Sequence, residues 1–283
     1  MAEAKNWTQI TATLAEIPED WSAWDTLFDA HGVPGTVVTD RPPTISGYMF
    51  EPDPAALAEL VEVLRSMGAD ASVSEVPEED WAESWKQFFI PRRVGQRVVI
   101  RPTWEEYPAG PDDIEIVLDP GQSFGTGDHP TTRMCLELLE TTDLAGKDVA
   151  DVGCGSGILA VLAEKLGCAS LRASDIDPIC VTSSLENAAR NDVTFLVHAG
   201  KGFEGYPDGE TYDVVVSNII SAALIVLAPD AADRVRAGGE WIVSGVIESN
   251  WPDVKAAAER VGFELVERKQ ELEWNAARFR KKA

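Results

Sequence analysis

Residues 147–160 read Lys-Asp-Val-Ala-Asp-Val-Gly-Cys-Gly-Ser-Gly-Ile-Leu-Ala. A short apolar run contains Asp151 near its end. Gly153, Gly155 and Gly157 follow at alternate positions, and a helical pattern starts at Ile158. Strand, tight turn and helix N-terminus in that order make the nucleotide-binding α/β unit. The glycines let the backbone turn sharply and approach a ligand closely. The first free N–H groups of the helix face that ligand. Asp175 comes 22 residues after Gly153, where the next parallel strand ends. A carboxylate there accepts both hydroxyls of a ribose. The G-x-G-x-x-G fingerprint fails in the frame of Gly153, because residue 158 is Ile. It fits loosely as Gly155, Gly157 and Ala160. The glycines alone leave two ligands open, a dinucleotide and S-adenosylmethionine. Asp151 favours the second, since an acid at the strand tip suits a cation and repels a pyrophosphate.

The chain has 283 residues, 45% hydrophobic and 25% charged, which suits one large globular domain or two smaller ones. No apolar run reaches the roughly 18 residues of a membrane span. The first residues, Met1 to Trp7, have neither a basic nor an apolar signal region, so a cytoplasmic protein is expected. Cys135, Cys154, Cys168 and Cys180 form no C-x-x-C pair and read as reduced thiols. His31, His129 and His198 are far apart, and no metal spacing is present. No histidine is near Cys154 in sequence, so it is not read as a nucleophile.

Formal net charge is 24 − 48 = −24. Residues 1–80 hold 16 acids and 3 bases, a net of −13, and the other 203 residues carry −11. Direct nucleic-acid binding is disfavoured, because that affinity comes from clustered Lys and Arg. A basic protein partner fits the charge. So does an acidic surface kept for solubility.

From the N-terminus, residues 7–14 alternate as a strand, and a helix follows with Trp21, Trp24, Leu27 and Phe28 on one face. The two tryptophans are read as core. Strands at 36–39 and 45–50 precede a helix from Pro54 with Leu57, Leu60, Val61, Val63 and Leu64 inward. A last strand covers 71–74. The order β-α-β-β-α-β is the ferredoxin-like arrangement, and it carries no catalytic constellation. Residues 1–75 are therefore expected to be a recognition domain. Residues 76–93, with Trp81, Trp85, Phe88 and Phe89 at helical spacing, read as a linker helix. Residues 94–283 form the ligand-binding domain, opening with strands at 94–101 and 114–118.

The loop Asp119 to Thr132 packs glycines, hydroxyls, Phe124 and two acids before a helix starting near Thr132. Such a loop folds over a ligand with many backbone donors. Further on come a helix at 178–191 and a strand at 212–217 that leads to Asn218. That residue lies at the carboxyl edge of the sheet, in the usual ligand crevice. Its amide both accepts from an amine and donates. A helix, a strand at 241–246, a helix from Asp253 and a hairpin of 263–267 with 274–280 complete the chain.

Taken together, LDPGQSFGTGDHPTT (118–132), DVGCGSGILA (151–160), Asp175 to Pro178, VVVSNII (214–220) and the connector WAESWKQFF resemble the bacterial ribosomal protein L11 methyltransferase family. The resemblance spans nearly the whole chain, and the FGTG-x-HPTT loop is its specific part. Asp128 and Ser221 depart from the family's usual residues. No Asn-Pro-Pro-Tyr stands at Asn218, which argues against a base or glutamine N-methyltransferase. The resemblance implies a Rossmann-like seven-stranded S-adenosylmethionine-dependent methyltransferase domain behind a substrate-recognition domain. It implies methylation of lysine side chains and of an N-terminal α-amine of ribosomal protein L11. By position, Thr132, Gly153, Asp175 and Asn218 would contact the cofactor. Gly155 and Gly157 in the turn, with Phe124 and Thr126 in the loop, complete the expected cofactor site. Asn218 and the 124–128 loop are expected to orient the acceptor amine, with no general base assigned. The alternatives are a lysine methyltransferase of this fold with another target, an NAD-dependent oxidoreductase on the same turn, and a non-catalytic ribosome-binding protein.

Overall fold

Continuous apolar runs such as Val214-Val215-Val216 belong to strands covered on both faces, and they form the centre of a parallel sheet here. The computed structural model describes residues 6–18, 21–33, 36–40, 42–50, 52–77, 89–119, 125, 127 and 129–282. The expected linker helix over most of its length, with Trp81, Trp85 and Phe88, lies outside the described residues, as do Phe124, Thr126 and Asp128. The chain divides into two compact units, Met1–Phe88 and Phe89–Ala283.

The first unit runs β1 (Asn6–Thr13), α1 (Ser22–Ala30), β2 (Thr36–Asp40), β3 (Pro43–Phe50), α2 (Pro54–Ser66) and β4 (Asp70–Pro77). Its sheet has the order β2-β3-β1-β4 with every neighbouring pair antiparallel. That is the split βαβ topology. Alternation along β1 turns Ile10 and Ala12 to the helices. Leu60 and Leu64 of α2 meet Trp24 and Phe28 of α1 there, with Trp21, Leu57 and Val61 at the margin. Val63, expected inward, falls to the side of the α2 stripe and is only half-buried.

The second unit opens with a three-stranded sheet of β5 (Arg92–Val94), β6 (Val98–Arg101) and β7 (Ile114–Val117). The single strand expected over 94–101 is two strands, because the chain reverses at Gly95, whose φ is 64°. Then come α3 (Pro130–Glu140), β8 (Asp148–Val152), α4 (Ile158–Lys165), β9 (Ser170–Asp175), α5 (Pro178–Arg190) and β10 (Leu196–Ala199). They are followed by β11 (Tyr212–Asn218), α6 (Ser221–Arg234), β12 (Val235–Ile247), α7 (Trp251–Arg260), β13 (Phe263–Glu271) and β14 (Trp274–Lys281). The seven strands lie in the order β10-β9-β8-β11-β12-β14-β13. Strands β8 to β12 are mutually parallel, and β14 runs antiparallel between β12 and β13.

The period of two assigns each side chain to a face. Val149, Val214 and Val216 join one buried cluster with α3 and α4. Ala150, Val215 and Trp241 join the other with α6 and α7. Strand order reverses between β8 and β11, which opens a crevice at their carboxyl ends. Leu272, in the connection from β13 to β14, has φ 54°. An L-residue there costs roughly 1–2 kcal/mol. Among the described residues, no helix is long and apolar enough to cross a membrane.

Candidate active site

The glycine turn leaves β8 with Gly153 at φ 83°. Its N–H and that of Cys154 donate to the Ser174 carbonyl of β9 at 2.8 and 3.0 Å. A Cβ at Gly153 would stand 2.3 Å from Cγ2 of Ile219, the residue after Asn218. Gly157, at φ 78°, begins α4, and a Cβ there would meet the Ser184 backbone of α5 at 3.0 Å. Both glycines thus make room for the protein's own packing as well as for any approach from outside. The turn's carbonyls are held from α5. Ser184 Oγ donates to Gly155 O at 3.0 Å, and Asn187 Nδ2 donates to Ser156 O at 2.8 Å. Ser156 Oγ donates to Gly125 O at 2.7 Å, which fastens the 119–132 loop to the turn.

Asp175 closes the turn from β9. Its Oδ2 accepts from Gly155 N at 2.8 Å and its Oδ1 from Asp177 N at 3.0 Å. The side chain is half-buried, and each oxygen retains a further lone pair. On the other side of the crevice, Asn218 Nδ2 donates to Thr132 Oγ1 at 3.3 Å. Asn218 Oδ1 is buried without a hydrogen-bond partner. Thr132 sits in the first turn of α3, which His129 caps. His129 Nδ1 lies 2.7 Å from Thr131 Oγ1, and its ring meets Trp274 edge-on at 4.8 Å. Burial first and the neighbouring Arg133 second hold the imidazole below its usual range.

Asp151 is fully buried, and neither carboxylate oxygen has a hydrogen-bond partner. Desolvation first and the Asp175 charge second push its pKa up to about 7. The Ala160 amide opposes this weakly, short of hydrogen-bond geometry. The acid therefore stands behind the turn rather than at an open tip, and its influence on a cation is that of a field. Cys154 is buried, its sulfur 3.3 Å from Ser184 Oγ, and burial raises its thiol well above the usual range. It is packing, not a nucleophile.

The fold thus gathers Thr132, Gly153, Gly155, Gly157, Asp175 and Asn218 about one crevice, from positions spread over 87 residues. Phe124 and Thr126 belong to the undescribed part of the loop. Sequence reading did not single out Ser184 and Asn187, which brace the turn, or Trp274 beside His129. Their spacing from the motif carries no local signal.

A family model described as ribosomal protein L11 methyltransferase matches residues 24–282. A relative of that name from Pelotomaculum thermopropionicum is 39% identical over 275 residues, covering 95% of this chain and 86% of its own. One from Caldanaerobacter subterraneus subsp. tengcongensis is 42% identical over 235 residues, covering 80% and 74%. The crystal structure of a ribosomal protein L11 methylase from Lactobacillus delbrueckii subsp. bulgaricus superposes with TM-score 0.65 at 31% identity, over 69% of this chain and all of that one. With a family model over nearly the whole chain and relatives near 40% identity, the chain belongs to the ribosomal protein L11 methyltransferase family.

Proposed function

We propose that the protein transfers methyl groups from S-adenosylmethionine to amines of ribosomal protein L11, namely lysine side chains and the N-terminal α-amine. The observation that carries this is the Thr132–Asn218 pair. It leaves one buried amide oxygen, Asn218 Oδ1, without a donor beside the glycine turn. A buried acceptor without a partner costs about 1–3 kcal/mol, and an amine N–H or the cofactor's ammonium satisfies it. The crevice also fits the cofactor. Asp175 has acceptor capacity left for ribose hydroxyls, and the uncompensated Asp151 favours a cation nearby.

When bound, the sulfonium supplies a methyl group already activated for transfer. The chain's residues then have to align and desolvate the acceptor. Thr132 fixes the amide plane of Asn218 by receiving Nδ2–H, so Oδ1 is presented in one direction. A lysine ammonium, with an ordinary pKa near 10.4, must become neutral before its nitrogen can attack. Desolvation in the crevice lowers that pKa. Asp151 is sealed from solvent and is not assigned as a base. Residues 1–75 act as the recognition domain for the basic substrate, and 76–93 join it to the catalytic domain. Calorimetric titration with S-adenosylmethionine and with NAD tests the cofactor. Mass spectrometry of L11 after incubation with the labelled cofactor tests the acceptor. Binding of NAD alone, or label on residues other than lysine and the N-terminus, overturns the reading.

A further inference from the structure

The connection between β13 and β14 is built against its own backbone preference. Glu271 pairs with Trp274, so Leu272 and Glu273 form a two-residue hairpin turn. The first residue of such a turn takes positive φ, where glycine or asparagine is the ordinary occupant. Here a leucine takes it, and the residue is 76% exposed. An apolar group there gains little burial to offset the strain. Strain that the fold does not require points to a role outside the chain.

The position of the tip is defined by register. The level of Asn218 passes to Ser244 on β12 and from there to Ala276 on β14. Leu272 lies four residues beyond Ala276. The Glu271–Trp274 pair is two steps past Ala276 and the turn one step more, so at about 3.3 Å per residue the tip stands roughly 10 Å past the sheet edge at Asn218. The hairpin is also tied to the helix that serves the site. Glu271 pairs with Arg133, and Lys269 pairs with Glu137 at 2.7 Å. Trp274 packs against His129. Thr132 lies between His129 and Arg133 in the chain. Glu273 is exposed and carries no ion pair among the described residues. Ile220, two residues past Asn218, is 71% exposed at the same edge.

We infer that Leu272 and Glu273 form a docking contact for the acceptor protein, seating the stretch of chain that flanks the target amine. An apolar residue of that stretch rests on Leu272, and a cationic one faces Glu273. The acceptor chain is thereby held above the sheet edge, and one side chain extends down to Thr132 and Asn218. The inference rests on the proposed reading of the acceptor as a protein amine. Charge supports it, because the chain is strongly acidic and the flanking groups at the tip are carboxylates.

The test is Leu272→Gly in the full-length chain, with purified ribosomal protein L11 as acceptor. Glycine adopts this φ without strain, so the melting temperature rises. The KM for L11 rises about fivefold or more, while kcat and the S-adenosylmethionine dissociation constant stay within about twofold. Glu273→Gln, which leaves the backbone alone, raises KM about twofold or more, and added salt abolishes its difference from the wild type. A Leu272→Gly protein that is more stable and captures L11 as well as the wild type overturns the inference. A matching loss of cofactor affinity also overturns it, since the effect would then be on the site itself. If the wild-type chain binds the cofactor but transfers nothing to L11, the proposed substrate and the docking contact both fall. If it methylates L11 normally and only the tip variants are silent, the docking contact alone falls.

Discussion

The two units treat buried polarity differently. Among the described residues of the first unit, no buried side-chain nitrogen or oxygen lacks a partner. In the second unit such atoms occur on Arg101, Asp151, Asn218 and Arg278. The arginines have carboxylates at hand, Glu115 at 2.9 Å and Glu240 at 3.6 Å. Asp151 and Asn218 do not, and both adjoin the crevice. The first unit has a satisfied core of aliphatic and aromatic residues and an acidic exterior. The second leaves Asn218 Oδ1 unpaired at the crevice and the Asp151 carboxylate unpaired beneath the glycine turn. The first unit's core is thus polar-satisfied, whereas the second carries the destabilising cost of unpaired buried groups.

Substitutions that block the bare region test this contrast most severely. Gly153→Val drives a side chain into Ile219 at a backbone φ that valine rarely adopts. Cofactor binding should vanish in calorimetry while the first unit stays folded by hydrogen exchange. A folded variant of normal affinity would remove the turn from the site.

Asp151→Asn addresses the cost of an unpaired buried group. The wild-type acid has a folded pKa near 7, above its unfolded value. The proton it binds therefore stabilises the fold fully below about pH 4, and this contribution is lost as pH rises through about 7. A shift of about three units corresponds to on the order of 4 kcal/mol. The variant lacks this dependence, so its melting temperature should gain on the wild type between pH 4 and pH 8. Parallel melting curves would show that Asp151 is not carrying the strain.

Removing the first unit sharpens the comparison from the other side. A fragment beginning near Glu78 should bind S-adenosylmethionine with near-intact affinity. It should methylate intact L11 about a hundredfold less efficiently, through capture rather than turnover. The salt sensitivity of the full-length enzyme should weaken with it, since the removed segment carries much of the acidic excess. Equal efficiency of fragment and whole chain would leave residues 1–75 with no recognition role.

A smaller effect, confined to the cofactor, is expected of Asp175→Ala. Hydrogen bonds to a charged acceptor contribute about 1.5–3 kcal/mol each, but water recovers part of the loss. The dissociation constant of the cofactor should rise about tenfold to a hundredfold. A change under about threefold, or 0.65 kcal/mol, would leave the ribose hydroxyls to another group.

The motifs of the candidate site are legible in the sequence because their signals are local. The alternate glycines with a carboxylate 22 residues on, and the asparagine ending an apolar run, are patterns of single supersecondary units. The features that escaped are non-local or weakly amphipathic. Strand β10 is four residues long and only half-buried, so alternation along Leu196–Ala199 was too short to detect. The break in 94–101 depends on Gly95 turning, where valines on both sides of Gly95-Gln96-Arg97 suggest continuity. Ser184 and Asn187 look like ordinary helix positions, and only the fold brings their side chains beneath the turn. Asp151 falls near the end of the apolar run of β8, as the sequence reads, but only the fold shows that packing closes over it and removes it from an open tip.

The reversal of strand order between β8 and β11 also bears on the timing of synthesis. Val149 on β8 pairs with Val214 on β11, 65 positions later, and Thr132 meets Asn218 across 86. A nascent chain therefore cannot close the centre of the sheet until β11 has emerged. The first sheet is complete within residues 6–77 and involves no such wait. Domains fold as units in the order they leave the ribosome, and non-local pairing is slow. The acidic unit is thus ready long before the crevice exists, and a newly made chain passes through a stage in which one unit is folded and the centre of the other's sheet is still open.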